Sequence, residues 1–324
     1  MEFFKTDKIY DFMGKAKIFM VISAVLVVGS WALLFIKGLN FGIDFAGGTI
    51  VQVRYDKPVD IATIRQTLKK SDIFKDAAVT YFGSDNEIII RIKSSTKNLK
   101  KDIGDEARNA LKGTGNFEIR RVDMVGPKVG GELREKGLMA TVIAILAILI
   151  YVSVRFEWRF ALASVLALVH DVSIAMGAIS LFNIPVNLDI LAAILTLLGY
   201  SLNDTIIVFD RIREGIIENT KLNELNLVIN DAITKTLSRT VLTSLTTFFV
   251  VLTLYLFGGE IIRGFSFTLL VGIIVGTYSS IFIASPLLSL LGFDLAGYRK
   301  RLAEKKKRQQ EKERMRAMYE QGMV

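Results

Sequence analysis

The sequence predicts a polytopic α-helical membrane protein with six transmembrane helices. It also predicts an α+β ferredoxin-like (βαββαβ) extracytoplasmic domain between the first helix and the second. Three observations carry this. Apolar residues make up 51% of the 324 positions, and several apolar runs reach the roughly 18 residues needed to cross about 30 Å of hydrocarbon. The stretch between the first two runs turns to strand-like alternation and short amphipathic segments. Basic residues collect in alternate loops, as they do around membrane spans.

The first span is read over about Ile18 to Ile36, the second over Leu138 to Val154 and the third over Phe160 to Leu181. The fourth covers about Leu188 to Phe209, the fifth Thr240 to Phe257 and the sixth Phe265 to Leu291. Lys5, Lys8, Lys15 and Lys17 precede the first span, and Arg155 and Arg159 separate the second from the third. Arg211, Arg213, Lys221, Lys235 and Arg239 separate the fourth from the fifth. The opposite loops, 182–187 and 258–263, carry only Arg263. All basic loops fall on one side if both termini are cytoplasmic, which puts 37–136 outside. The division is then 1–17 cytoplasmic, 18–36 the first span, 37–136 outside, 137–291 the remaining spans and 292–324 a basic cytoplasmic tail. The first apolar run is too long for a cleaved signal peptide and no A-x-A-like site follows it, so it reads as an uncleaved anchor.

In the outside segment, Gly47 to Arg54 alternates as a half-buried strand does, and Pro58 to Leu68 reads as a helix with Pro58 and Asp60 near its start. Ala77 to Phe82 and Glu87 to Ile92 are strands joined by the turn residues Gly83-Ser84-Asp85-Asn86. Asn98 to Leu111 is an amphipathic helix, and Phe117 to Val125 a last strand. The order β-α-β-β-α-β is ferredoxin-like, a fold that hosts many functions and so indicates none.

Composition excludes several chemistries. There is no cysteine and only one histidine, which removes disulfides, thiol nucleophiles and multi-histidine metal centres. The net charge of +9 suggests nucleic acid until it is located: much of it lies in 299–316, where Glu304, Glu311 and Glu313 are interspersed. That tail leaves contact with anionic lipid or with a ribosome open, and no specific nucleic acid is expected. No nucleophile with its base and no phosphate loop is present, so no catalytic residue, metal or bound cofactor is assigned.

The informative residues are those that are expensive in a membrane, where a central Asp costs roughly 2.5–3.5 kcal/mol. Asp204 lies in the inner half of the fourth span, and helical spacing puts Thr196, Tyr200 and Asn203 on its face. Burial favours its neutral form and a nearby cation its charged form, so it could exchange a proton as its surroundings change. A structural hydrogen bond between helices is the other reading. Arg239, Thr243, Thr246 and Thr247 form one stripe on the fifth span, a candidate partner for Asp204. Arg239 also reads as an inside-positive residue reaching for the interface. His170 and Asp171 are adjacent in the third span and point about 100° apart, so they need not pair; one could face Asp204 while the other meets another helix. Asp189 is read as a helix cap or an outside mouth. Gly272 and Gly276 form a G-x-x-x-G helix-packing pattern in the sixth span.

These residues resemble a known family. Gly42-Ile43-Asp44-Phe45-Ala46-Gly47-Gly48 looks like the SecD/SecF signature after the first span, and Val125-Gly126-Pro127-Lys128-Val129-Gly130 is similar to the lead-in to the second. His170-Asp171-Val172, Leu198 through Thr205, Val208 through Glu214, Ser238-Arg239-Thr240, Thr243 through Thr247, and Gly276 through Ser280 fit as well, so the likeness runs from about Asn40 to Leu291. The basic tail lies outside it. The resemblance implies a proton-driven machine of the resistance–nodulation–division superfamily in the bacterial cytoplasmic (inner) membrane. It implies pairing with a second six-span half of the SecD type, association with SecYEG, YajC and YidC, and an unfolded preprotein as substrate held by the outside domains. It links Asp204 and Arg239 to proton flow, with Thr243 close to that path. Tyr200, Asn203, His170 and Asp171 are candidate members of the same relay. Protons are the expected coupling ion, and the residues leave sodium open. Two other functions compete: half of a proton-driven small-molecule exporter, against which the small outside domain argues, and a structural assembly factor with no ion coupling.

Overall fold

The computed structural model describes residues 8–93, 102–219 and 222–320. Among them are six helices long and apolar enough to cross a membrane. They are α1 (Met13–Ile36), α5 (Pro127–Arg155), α6 (Trp158–Leu181), α7 (Leu188–Glu218), α8 (Leu225–Phe257) and the span Glu260–Leu290. The last is built from α9 (Glu260–Ser279), a π-helical turn (Ser280–Ala284) and α10 (Ser285–Leu290). In α6, α7 and the last span about half of the most apolar window is buried inside the protein, against 11% in α1 and α5 and 17% in α8. The first three therefore form the centre of the bundle, and the other three present apolar faces outward. That is the arrangement a bilayer solvates, since lipid tails cover exposed leucines as well as protein does.

The helices outrun the predicted spans. α5 starts at Pro127, eleven residues early, with the proline in its first turn, where a missing N–H costs nothing. α8 starts at Leu225 rather than Thr240. Its first turns are polar overall but bury Val228, Ile229, Ala232 and Ile233 against Phe209, Ile212 and Ile216 of α7. Here protein, not lipid, covers the apolar face, so an average over the stretch hides it. The tail is also ordered: α11 spans Leu295–Glu320, and Arg299 at its base donates to the carbonyls of Ile216, Asn219 and Leu222 at the end of α7.

Between α1 and α5 lies a four-stranded antiparallel sheet of order β2-β3-β1-β4, made of β1 (Gly48–Tyr55), β2 (Ala78–Phe82), β3 (Ser84–Lys93) and β4 (Phe117–Val125). With α3 (Ile61–Leu68) between β1 and β2 and α4 (Ile103–Ala110) between β3 and β4, this is the split βαβ topology. β1 pairs Thr49↔Ile92 through Arg54↔Glu87 with β3. Val51, Val53, Ile88 and Ile90 point from one face into a core closed by Ile64, Leu68, Ala107 and Leu111. Asp60 caps α3 by accepting from the N–H groups of Ala62 and Thr63, both at 3.1 Å. α4 is described from Ile103, capped by Asp102; the predicted start at Asn98 falls outside the described residues. The expected four-residue turn shrinks to Gly83, whose φ of +74° suits glycine, because Ser84 already pairs with Phe82 and Asn86 donates to the carbonyl of Tyr55.

The glycine-rich segment after α1 is a joint. It contains a single helical turn, α2 (Ile43–Ala46). Gly42 donates to the carbonyl of Val186 at 2.9 Å, and the Asp44 carboxylate accepts from the N–H of Leu188, the first residue of α7, at 3.0 Å. A Cβ on Gly130 of α5 would sit 2.9 Å from the N of Gly47, and one on Gly48 2.6 Å from the carbonyl oxygen of Ile92. The motif thus fastens the sheet to α5 and to α7 at once.

Candidate functional site

Asp204 is buried at the contact of α7, α8 and α9 (1% exposed). Its Oδ2 accepts from the Ser244 hydroxyl of α8 at 3.1 Å, and Thr277 of α9 donates to Ser244 Oγ at 2.7 Å. Its Oδ1 is enclosed and has no hydrogen-bond partner among the described residues, and neither has the enclosed hydroxyl of Thr240, one helical turn before Ser244. A buried carboxylate oxygen without a donor can take a proton and become a donor itself. Nothing at this site has to break first.

The predicted stripe does not reach Asp204. Arg239 is exposed on this chain, and its guanidinium makes no hydrogen bond or ion pair among the described residues. The hydroxyls of Thr243, Thr246 and Thr247 bond back to carbonyls of their own helix. Asn203 is exposed too, while the Tyr200 hydroxyl donates to the carbonyl of Thr243 at 3.2 Å. Asn203, Tyr200, Thr243 and Arg239 therefore lie along the outer seam of α7 and α8, and Ser244 and Thr240 face inward. Helical spacing groups residues on one face of a helix. It does not say which face of α8 meets α7, and that is why Ser244 was missed. The available signal was the pair Thr240 and Ser244, four residues apart beside the stripe.

His170 and Asp171 form a second cluster and pair with each other, with Nδ1 to Oδ1 at 2.8 Å. Both side chains are long enough to close the 100° between neighbouring positions. Asp171 Oδ2 also accepts from Ser201 of α7 at 2.5 Å and from Ser279 of α9 at 2.8 Å. Among the described residues neither hydrogen-bonds to Asp204. The two clusters are consecutive layers, since Ser201 lies three residues before Asp204 and Thr277 two before Ser279. Close packing of α7 on α9 brings them together. A Cβ on Gly272 would lie 2.5 Å from a methyl of Leu197, and one on Gly276 3.1 Å from Cβ of Ser201. The π turn follows Ser279 directly, and Ser285 donates to the carbonyl of Ser280 at 2.9 Å. Among the described residues no group of three His, Asp or Glu side chains gathers as metal ligands would.

Comparison with known proteins gives a consistent result. The family described as "Protein export membrane protein SecD/SecF, C-terminal" matches residues 106–294, and the "SecD/SecF GG Motif" matches 32–59. A protein named protein translocase subunit SecF from Helicobacter pylori is 50% identical over 324 residues, covering all of both chains. One of the same name from Vibrio alginolyticus is 46% identical over 290 residues, 89% of this chain and 91% of that one. The crystal structure of SecDF from Thermus thermophilus, described as a translocon-associated membrane protein, superposes with a TM-score of 0.79 at 35% identity over 88% of this chain. A SecDF structure in a super-membrane-facing form gives 0.65 at 34% identity over 93% of this chain. This chain spans about two fifths of those SecDF chains (39% and 40%).

Proposed function

The chain belongs to the SecD/SecF family of protein-export membrane proteins, and from that premise we propose that it is a SecF-type subunit of the Sec translocase that couples ion flow to the late steps of preprotein export. It is a multi-pass membrane transport subunit, not an enzyme. In this reading both termini lie in the cytoplasm, which the basic loops support, and the sheet domain faces the exported polypeptide.

Asp204 carries the ion. The observation behind this is the unpartnered Oδ1, buried beside Ser244 and Thr277 at the contact of three helices. Protonation from outside neutralises the side chain and turns Oδ1 from an orphan acceptor into a donor, for which the enclosed Thr240 hydroxyl is a candidate acceptor. Such an exchange of partners biases how α7, α8 and α9 pack. Arg239, Asn203, Tyr200 and Thr243 serve a different purpose from the one their spacing suggested: they form a polar seam on the outside of this half. Exposing such groups to lipid is costly. A second six-span half of the SecD type, covering the seam, would bring Arg239 under its influence. SecYEG, YajC and YidC are the further expected associates.

The test is preprotein completion after ATP is exhausted, in vesicles holding this chain, its SecD-type partner and the channel. With an imposed proton gradient the wild type accelerates and Asp204→Asn does not. Equal acceleration of both would sink the relay and favour a structural role. A sodium gradient in place of the proton gradient identifies the ion.

A further inference from the structure

A cavity of about 610 Å³ lies between the outside domain and the outer ends of the membrane helices. Its roof is the free face of the sheet, with Ile50, Gln52, Ile89 and Arg91. Its floor is the start of α7 at Asp189 and the first turns of α9 at Glu260, Ile261 and Gly264. Both α7 and α9 begin here and cross the membrane, so the cavity lies at the level of lipid headgroups.

Most of its charges already have partners. Arg121 pairs with Asp123 at 2.6 Å. Arg263 pairs with Glu260 at 3.1 Å and lies over the ring of Tyr255. Asp44 holds the N–H of Leu188. Two groups have atoms to spare. The Arg91 guanidinium makes no hydrogen bond or ion pair among the described residues, and its Nε is fully enclosed. Burial holds its guanidinium below the usual arginine value, and Glu260 offsets this only in part. The Asp189 carboxylate takes the backbone N–H groups of its own residue and of Ile190, but its Oδ1 is enclosed with no donor among the described residues. The two do not pair with each other. A half-buried guanidinium with no anion bonded to it and a carboxylate with an oxygen to spare, both lining one space, suit a ligand carrying both complements. An extended polypeptide fits less well. It would pair along a sheet edge, where backbone groups are free, whereas this cavity opens on a sheet face.

We propose that the cavity binds the headgroup of a phosphatidylethanolamine-type lipid, with its phosphate on Arg91 and its ammonium on Asp189. The phosphate meets the planar donors of the guanidinium, and the primary ammonium pairs with the Asp189 carboxylate where it lines the cavity. Ile261 and Phe267 give the glycerol and first methylenes an apolar wall.

The test is native mass spectrometry of the full chain, delipidated in detergent and titrated with dioleoyl phosphatidylethanolamine, phosphatidylcholine or phosphatidylglycerol. One equivalent of the ethanolamine lipid is expected to bind about tenfold more tightly than the choline lipid, which has no N–H, or the glycerol lipid, which has no cation. Arg91→Gln and Asp189→Asn should each weaken it about tenfold, while Arg91→Lys retains most of the binding and controls for folding. Competition by soluble glycerophosphoethanolamine would show that the headgroup carries recognition. Equal retention of all three lipids, unmoved by either substitution, would overturn the proposal. So would displacement of the lipid by an unfolded polypeptide but not by glycerophosphoethanolamine.

Discussion

Asp171 and Asp204 occupy neighbouring layers of one helix interface, both essentially without exposure, yet their hydrogen bonding is opposite. Asp171 has both oxygens engaged, by His170, Ser201 and Ser279, from its own helix and from two others. Asp204 has one oxygen engaged and one enclosed with nothing. A carboxylate whose acceptor sites are occupied fixes three helices in one arrangement. In the proposed function a half-satisfied carboxylate has two arrangements to exchange, one with and one without a proton. Burial alone does not distinguish the two residues; the completeness of the carboxylate's hydrogen bonding does, and the proposal makes Asp171 the clamp and Asp204 the switch.

The comparison is broken most directly by exchanging which property each residue controls. Asp171→Ala should lower thermal stability in detergent the most, by about 2–3 kcal/mol, because it strands the donors Ser201 and His170 inside the bundle and leaves Ser279 only the carbonyl of Gly276. Asp204→Ala strands one donor, the Ser244 hydroxyl, and should cost about 1 kcal/mol while eliminating the response to an ion gradient. A lower melting temperature for Asp204→Ala than for Asp171→Ala would reverse the assignment. Next in size is Ser244→Ala. It removes the one donor on Asp204 and should leave protein amount unchanged while shifting the pH dependence of gradient-driven completion. An unmoved pH profile would mean that Ser244 does not set the proton affinity.

The spans were legible in the sequence because lipid selects for uninterrupted apolar runs, and the sheet because Val51, Val53, Ile88 and Ile90 alternate with outward residues. Helix ends were not legible. The apolar run records only contact with lipid, and Leu225 to Arg239 of α8 continues as helix by burying four apolar residues, Val228, Ile229, Ala232 and Ile233, against protein instead. Asp204 stood out because an acid is rare in such a stretch. Its partner did not, since Ser244 sits among several threonines and only the approach of α7 distinguishes it. Asp44 looked like part of a signature with no stated purpose. The structure gives it one, on the first N–H of a helix whose own N-cap residue, Asn187, supplies no side-chain bond. Asp44→Ala should cost about 1 kcal/mol, as loss of an N-cap does, seen as faster proteolysis of the joint at 38–48. Asp44→Asn keeps an acceptor oxygen and should lose less.

The smallest effect sharpens the comparison from outside the membrane. Asp60 also engages three donors, the N–H groups of Ala62 and Thr63 and the Thr63 hydroxyl, but it does so in water. These bonds, the Thr63 hydroxyl first, hold its carboxyl below the usual aspartate value. A group held low in the folded state stabilises it fully above the unfolded value of about 3.9, and that contribution fades as pH falls through the lower folded value. The protection of amides at the start of α3, taken relative to their intrinsic exchange rate at each pH, should therefore fall on acidification below about pH 4 in the wild type and respond less in Asp60→Asn, which does not titrate there. If both respond alike, the cap contributes nothing beyond its shape. Saturation of a carboxylate would then matter in this protein only where water is excluded, as at Asp171.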